Sequence, residues 1–288
     1  MSAAVAHTLA RARVPSIAVN SSEKRLAFCD GERASLWDTD QWELVTELPG
    51  EFNSSAATAD RADWFVSVGS GATIWDWSTG SVRKHLHFEP CSEREQLSVV
   101  AVDPKGEWIV AGGDEGGLYW WRTTNFDFES LCPAFSFEDE QIRGLAISPD
   151  GKRLVAAVAS ERLRIFAESS SNELPSIPLQ ADDGYVWSIV FSPESTTIVV
   201  GFENRIRFWD MDTGERKQTG NDAEIGTIAA MVFTPESDRL LAGGIQGEVS
   251  IWSWPDLDLV CSFRKHTDQI TALVFSPDGS LWSGSQDS

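Results

Sequence analysis

A short segment ending in an aromatic residue recurs along this chain, and it constrains the fold more than any other feature. It appears as ASLWD, ATIWD, LYWWR, LRIFA, IRFWD and VSIWS, with the ring at Trp37, Trp75, Trp121, Phe166, Trp209 and Trp252. The last three intervals between these rings are 45, 43 and 43 residues. A period of this length is typical of β-propeller blades, each of which is a small antiparallel sheet.

A second element precedes the aromatic segments in phase, and it predicts the inner strand of each sheet. It reads VPSIAVN, LSVVAVDPKG, IRGLAISPDG, VWSIVFSPES, IAAMVFTPES and ITALVFSPDG. The apolar residues fall at its first, fourth and sixth positions, as in Ile270, Leu273 and Phe275, which favours a strand covered on both faces. The Pro-containing turn that follows leads to a middle strand, then to the aromatic strand and to a more polar outer strand such as KHLHF.

These segments resemble the WD40 repeat family, through LWDTD, IWDWSTG, FWDMDTG and two copies of SPDG. The resemblance covers essentially the whole chain. It implies an all-β fold, a WD40-type β-propeller with four-stranded blades around a central channel, most often seven of them. We therefore expect residues 1–288 to form a single propeller domain.

The end of the repeat series predicts an incomplete blade. Six copies are full, whereas the seventh supplies only an inner and a middle strand before Ser288. We expect seven blades, with the last one incomplete and closed by an N-terminal strand at residues 5–11, VAHTLAR. The alternative is that the chain is a fragment of a longer protein, because an uncapped edge strand is normally avoided.

The resemblance also implies a buried hydrogen-bond set in each blade, formed by a His before the inner strand, a Ser or Thr on the middle strand, an Asp in the next turn and the third-strand Trp. Only the last repeat approaches it, with His266, Ser283 and Asp287. The other blades are expected to depend on apolar packing, with Trp and Phe stacked between neighbouring sheets.

Composition excludes several classes of function. The formal charge of −21 argues against nucleic acid or an anionic membrane as a partner. No run of apolar residues is long enough to cross a bilayer, and the N-terminal residues do not read as a secretion signal, so we expect a cytoplasmic protein. The four cysteines have no metal-ligand spacing and are expected to be inert core thiols.

Catalytic readings find little support. The four histidines occupy unrelated places in the repeat, and the Asp-rich turns match no calcium loop. His85 and His87 share one face of an outer strand, but a third metal ligand is lacking. We expect no catalytic residues, no metal and no cofactor. A propeller enzyme remains an alternative, and it would need a cluster of carboxylates with raised pKa values at the channel mouth.

Partner contacts in WD40 proteins often come from residues around the start of the inner strand and before the turn aspartate. Carried over to this chain, these positions are Gln96, Gln141, Arg143, Tyr185, Trp187, Gln269 and Gln286. Aromatic residues and Arg often anchor interfaces, which favours Tyr185 and Trp187. We expect a non-catalytic interaction scaffold for a protein or peptide partner, and the acidic loops favour a basic one. The docking or sensory segment of a larger signalling protein is the alternative.

Overall fold

A computed structural model describes residues 16–287, apart from positions 21, 23, 30–33, 50–54, 60–61, 91, 125–126, 131–134, 138–139, 160–161, 168–172, 180–183, 204, 218–225 and 277–278. The regular secondary structure of these residues consists of β-strands. The described residues include no helix of the length and hydropathy that crossing a membrane requires. The predicted strand at residues 5–11 lies outside the described residues.

Six antiparallel sheets follow one another along the chain, and each is called a blade here. The first three blades contain β1 (Ser16–Asn20), β2 (Arg25–Cys29), β3 (Ala34–Asp38) and β4 (Glu43–Leu48); β5 (Ser55–Ala57), β6 (Trp64–Val68), β7 (Ala72–Asp76) and β8 (Val82–Leu86); and β9 (Leu97–Val102), β10 (Trp108–Gly113), β11 (Gly117–Thr124), β12 (Asp127–Ser130) and β13 (Phe135–Ser136). The next three contain β14 (Ile142–Ile147), β15 (Arg153–Val158), β16 (Arg162–Ala167) and β17 (Glu173–Pro178); β18 (Ser188–Phe191), β19 (Thr197–Gly201), β20 (Ile206–Asp210) and β21 (Arg216–Lys217); and β22 (Ile228–Phe233), β23 (Arg239–Gly244), β24 (Glu248–Ser253) and β25 (Leu259–Arg264).

The remaining strands, β26 (Ile270–Phe275) and β27 (Leu281–Ser285), form a two-stranded sheet between the sixth blade and the first. The first strand of each sheet contacts the first strand of the next, and β26 contacts β1, so the inner strands form a closed ring. The all-β propeller is confirmed. The described residues form six complete blades. The predicted count of seven, with the last blade incomplete, is not confirmed, because β27 ends at Ser285 and the described residues contain no third strand beside it.

Glycines on the middle strands let neighbouring blades approach closely. Each of these glycines faces the isoleucine that begins the inner strand of the next blade. A Cβ atom placed on the glycine would lie too close to Cγ2 of that isoleucine, at 2.5 Å for Gly112, 3.0 Å for Gly201 and 2.6 Å for Gly243. These isoleucines are Ile142, Ile228 and Ile270, and each is almost completely buried. The contact fixes where each inner strand starts, and therefore where the residues just before it lie.

The third-strand aromatic residues are buried between blades, as predicted, except for Trp37 of the first blade, which is half-buried. Trp209 packs in one cluster with Leu163 and Ile165 of the preceding blade, and Phe166 packs with Trp108 and Trp120 of the blade before it. Burying a large aromatic side chain stabilises the fold by removing apolar area from water. The interfaces between blades therefore make up most of the core.

Acidic residues at the ends of third strands organise the turn to the outer strand. Oδ1 of Asp38, Asp76 and Asp210 accepts hydrogen bonds from the backbone N–H groups two and three residues later. The N–H donors help to keep the pKa of all three carboxyl groups below the ordinary value. The acidic turns of the sequence are thus structural.

One cysteine differs from its expected environment. Cys261 is a free, exposed thiol on β25, the outer strand of the sixth blade, and not a core residue. Its cross-strand partner is Ile251, which packs toward the two-stranded sheet. Within the described residues that sheet has no outer strands, so the neighbouring part of β25 is left uncovered.

Candidate interaction surface

The inner strands all begin at one end of the ring, because every sheet runs in the same strand order. We call this end the top face. It consists of the residues just before and at the start of each inner strand and of the turns that follow the second strands. The seven residues predicted to bind a partner lie on it.

Tyr185 and Trp187 are the most exposed aromatic side chains of the described chain, at 56% and 41% of their full surface. They precede β18, and the residue between them, Val186, is buried in the core of the fourth and fifth blades. Alternation along an extended segment therefore directs both rings outward. Gly184 precedes them with φ +79, a left-handed conformation that a glycine adopts without strain.

Arg143 lies beside this pair on the neighbouring blade. Its guanidinium carbon is 4.8 Å from the centre of the Tyr185 ring, which is a cation–π contact. Arg143 is the second residue of β14, and the inner strands β14 and β18 are in contact. The structure thus brings together three of the predicted residues, two from one segment and one from the adjacent inner strand.

The glutamines among the predicted residues are arranged differently. Gln269 and Gln286 contact each other, since Nε2 of Gln286 donates to Oε1 of Gln269 at 3.2 Å. They lie on the two-stranded sheet, which the sixth blade separates from Trp187. Gln96 is exposed and Gln141 is half-buried, on the third and fourth blades. The four glutamines lie around the ring and do not extend the aromatic cluster.

Ile245 is a top-face residue that the sequence reasoning missed. It lies in the turn between β23 and β24 of the sixth blade and is 38% exposed. The other exposed large apolar side chains lie on outer strands: Leu44, Val45, Val82, Leu174, Leu259, Val260 and Phe263. The signal was an apolar isoleucine at the turn position that Asp114, Ala159 and Gln286 occupy in other repeats.

The predicted hydrogen-bond set of the last repeat is present. His266 contacts Ser283 Oγ through Nε2 at 2.7 Å and Asp287 Oδ1 through Nδ1 at 3.0 Å, and the N–H of Thr267 donates to Asp287. Burial opposes the charge of Asp287, but the Thr267 N–H and His266 outweigh it, so the pKa of this carboxyl lies below its ordinary value. The set fixes the loop that leads into β26.

Two other blades have polar contacts that the sequence reasoning did not assign. In the third blade the buried carboxylate of Glu95 accepts hydrogen bonds from the N–H of Gly117 and from the hydroxyl of Tyr119. In the second blade Trp75 Nε1 donates to Ser67 Oγ at 2.9 Å, which is the Trp and Ser half of the WD40 set. The prediction that only the last repeat approaches the set was therefore too narrow.

Charged groups on the described chain are arranged for structure. The carboxyl groups with a clearly shifted pKa in this part are Asp38, Asp76, Asp150, Asp210 and Asp287, and every shift is downward. A general acid would need the opposite shift. The described residues also contain no group of three or more His, Cys, Asp or Glu side chains that could hold a metal ion.

The geometry defines a β-propeller with an exposed aromatic and arginine cluster at one end of its ring. A model of the family described as WD domain, G-beta repeat, matches residues 175–210 and 257–288. These two matches support the resemblance to WD40 repeats that the motifs indicated.

Several curated proteins are similar to this chain. Periodic tryptophan protein 2 homolog of Mus musculus is 26% identical over 278 residues, covering 76% of this chain and 29% of that protein. Striatin-4 of Homo sapiens is 26% identical over 220 residues, covering 68% and 28%. WD repeat-containing protein 90 of Xenopus tropicalis is 25% identical over 186 residues, covering 64% and 10%. The chain thus spans about a third or less of the length of these relatives.

Proposed function

We propose that this chain is a non-catalytic scaffold that binds a protein or peptide partner on its top face, through Tyr185, Trp187 and Arg143. The observation that carries the proposal is the exposure of two large aromatic rings beside an arginine, on a rigid ring. Exposed aromatic and arginine side chains are the residue types that dominate the energy of protein interfaces. Ile245 is a further exposed apolar side chain of the top face, on the next blade.

Charge supports a protein partner that is basic overall. The chain carries a formal charge of −21, and the top-face loops contribute exposed or half-exposed carboxylates at Asp114, Glu115, Glu203 and Asp268. A negative field attracts a basic partner and repels nucleic acid and anionic membranes. Gln96, Gln141, Gln269 and Gln286 would then be peripheral contacts around the ring. We also propose that the protein acts in the cytoplasm.

The test is an affinity capture from cell lysate with the whole chain as bait. The Trp187→Ala, Arg143→Ala double variant should lose the specific partner while its thermal unfolding stays unchanged, because both side chains are exposed. Leu44→Ala is the matched control, since Leu44 is 46% exposed on an outer strand away from the top face. Equal capture by the wild type and the double variant would remove this cluster from the binding site.

We propose further that residues 5–11 complete the two-stranded sheet as a donated strand and make it the seventh blade. Support comes from the position of β1, which contacts both β26 and β27. A four-residue linker between residue 11 and Ser16 can span about 13 Å, enough to reach a neighbouring strand. Deleting residues 1–11 should lower the melting temperature markedly, whereas deleting residues 1–4 should not.

A second candidate is a docking or sensory segment of a larger signalling protein. The observation that favours it is the length of the relatives, of which this chain matches about a third or less. Such a segment would use the same top face. The identity of the captured partner distinguishes a general scaffold from a docking segment. A docking segment should capture a substrate or a regulator of the larger protein.

A further inference from the structure

Arg143 has different surroundings from five other arginines of this acidic chain. Arg25, Arg83, Arg153, Arg239 and Arg264 each lie beside a carboxylate. Arg143 is exposed, and among the described residues its one recorded side-chain contact is the Tyr185 ring. Its charge is therefore not neutralised by any carboxylate of the described chain.

The contact with Tyr185 prepares Arg143 to bind an anion. A guanidinium held over an aromatic ring loses less freedom on binding than a free side chain, and its N–H donors remain available. Those donors form a planar fork that matches the two oxygens of a carboxylate. The next exposed groups along the same segment and on the sixth blade are apolar, namely Trp187 and Ile245.

We propose that this cluster recognises an extended peptide segment that presents a carboxylate side chain to Arg143 and, two residues further along, an apolar side chain to Trp187. The inference rests on the proposed function and names the chemistry of the partner at that site. Residues two positions apart in an extended peptide project to the same side and can serve both contacts. Arg143 lies over the Tyr185 ring, and Trp187 projects outward two residues after Tyr185.

The net charge of the chain sets a limit on that peptide. The other carboxylates of the chain repel an acidic peptide. Salt screens this repulsion beyond a Debye length of about 8 Å, but it does not screen the direct contact with Arg143 to the same extent. A single carboxylate within a segment that is neutral or basic overall satisfies both conditions. The prediction of a basic partner and the carboxylate contact are thus compatible.

Three probe peptides test the proposal: acetyl-Glu-Lys-Leu-amide, acetyl-Gln-Lys-Leu-amide and acetyl-Lys-Lys-Leu-amide. Each is titrated into the whole chain while the indole N–H signal of Trp187, identified by its loss in Trp187→Phe, is followed by NMR. We expect the Glu peptide to bind about fivefold to tenfold more tightly than the Gln peptide, the effect of one charge-assisted contact. Equal or tighter binding of the Gln or Lys peptide overturns the proposal, as does the absence of any shift at about millimolar peptide, where fragments of this size bind.

Two variants separate the role of Arg143 from general charge. Arg143→Gln should abolish the preference for Glu over Gln, and Arg162→Gln, an exposed arginine of the same blade, should leave it unchanged. Loss of the preference in both variants would assign it to the overall field and overturn the proposal. If lysate capture depends on Trp187 but the peptides show no preference for Glu, the proposed function stands and this inference fails.

Discussion

The second and sixth blades place a tryptophan at the same third-strand position but give its N–H different surroundings. Trp75 Nε1 donates to Ser67 Oγ at 2.9 Å. In the sixth blade the strand register puts Ala242 where the second has Ser67, and Nε1 of Trp252 is buried with no hydrogen-bond partner among the described residues. Both rings are nonetheless buried. Packing between blades is therefore enough to position the ring, and the hydrogen bond adds to it.

The same two blades also differ at the end of the third strand. Asp76 accepts N–H and O–H hydrogen bonds from Ser78 and Thr79 and pairs with Arg83. The sixth blade has Ser253 at this place, and its hydroxyl accepts one hydrogen bond, from the N–H of Asp258. A charged acceptor binds N–H donors more strongly than a neutral one. The second blade thus depends on polar contacts at two points where the sixth depends mainly on packing.

The largest expected effect compares the two tryptophans directly. Trp75→Phe should lower the free energy of unfolding by about 2–4 kcal/mol, because it leaves a cavity and removes the donor to buried Ser67. Trp252→Phe should lower the free energy of unfolding by about 1–2 kcal/mol less than Trp75→Phe does, because the indole N–H that it removes is buried without an acceptor. Unfolding in guanidinium chloride measures both. Equal losses would mean that the hydrogen bond of Trp75 contributes nothing.

Removal of the acceptor alone isolates the hydrogen bond. Ser67→Ala should lower the free energy of unfolding by about 1–2 kcal/mol, because the indole N–H of Trp75 is then buried without an acceptor. Ser250→Ala is a control, since Ser250 is also buried but no hydrogen bond of its hydroxyl is recorded among the described residues. A loss no greater than that of the control would contradict the expected contribution.

The charged turn predicts a dependence on pH. Burial opposes the charge of Asp76, but Ser78, Arg83 and Thr79 outweigh it, and the pKa of this carboxyl lies well below its ordinary value. As pH falls the unfolded chain takes up the proton first, so the stabilisation is complete above about pH 5 and is lost progressively below about pH 4.

Asp76→Ser copies the turn residue of the sixth blade and tests this dependence. It should cost about 1 kcal/mol at neutral pH, and the difference from the wild type should shrink as pH falls toward about 3. Urea unfolding at the two pH values measures the difference. An unchanged difference would show that the loss is one of packing and not of charge.

The smallest expected effect is a gain. Ala242→Ser places a hydroxyl at the position that Ser67 occupies in the second blade, where it can accept the N–H of Trp252. The free energy of unfolding should rise by about 0.5–1 kcal/mol, the usual net value of one hydrogen bond. Ala156→Ser, at the same position of the fourth blade where the ring is Phe166, is the matched control and should show no gain. Similar gains in both would contradict a contact with Trp252.

The elements that repeat were predictable from sequence, since each is encoded locally and several times. The buried third-strand rings, the inner strands and the acidic turns all follow from residues that are close in the chain. The contact of Arg143 with Tyr185 joins residues 42 positions apart on separate blades, so the sequence could place both on one face but could not show that they touch. The number of blades could not be predicted in the same way, because it depends on how strands from the two ends of the chain pair where the ring closes.

The missed polar contacts have a different cause. Glu95 and Tyr119 join the loop before an inner strand to the third strand, with residue types and positions that differ from those of the WD40 set. A search for the His, Ser or Thr, Asp and Trp of the WD40 set does not detect this pair. A buried acidic residue just before an inner strand, paired with a tyrosine two residues before the third-strand tryptophan, would have been the signal.

Contact between β1 and β26 has a consequence for how the protein is made. Ser16 leaves the ribosome long before Ile270, and at about 5–20 residues per second the delay is on the order of 10–50 s. During that time Val19, Leu26 and Phe28 lack Val274 and Trp282, the side chains that later cover them. The nascent first blade therefore exposes apolar surface until synthesis is almost finished, and such surface favours aggregation.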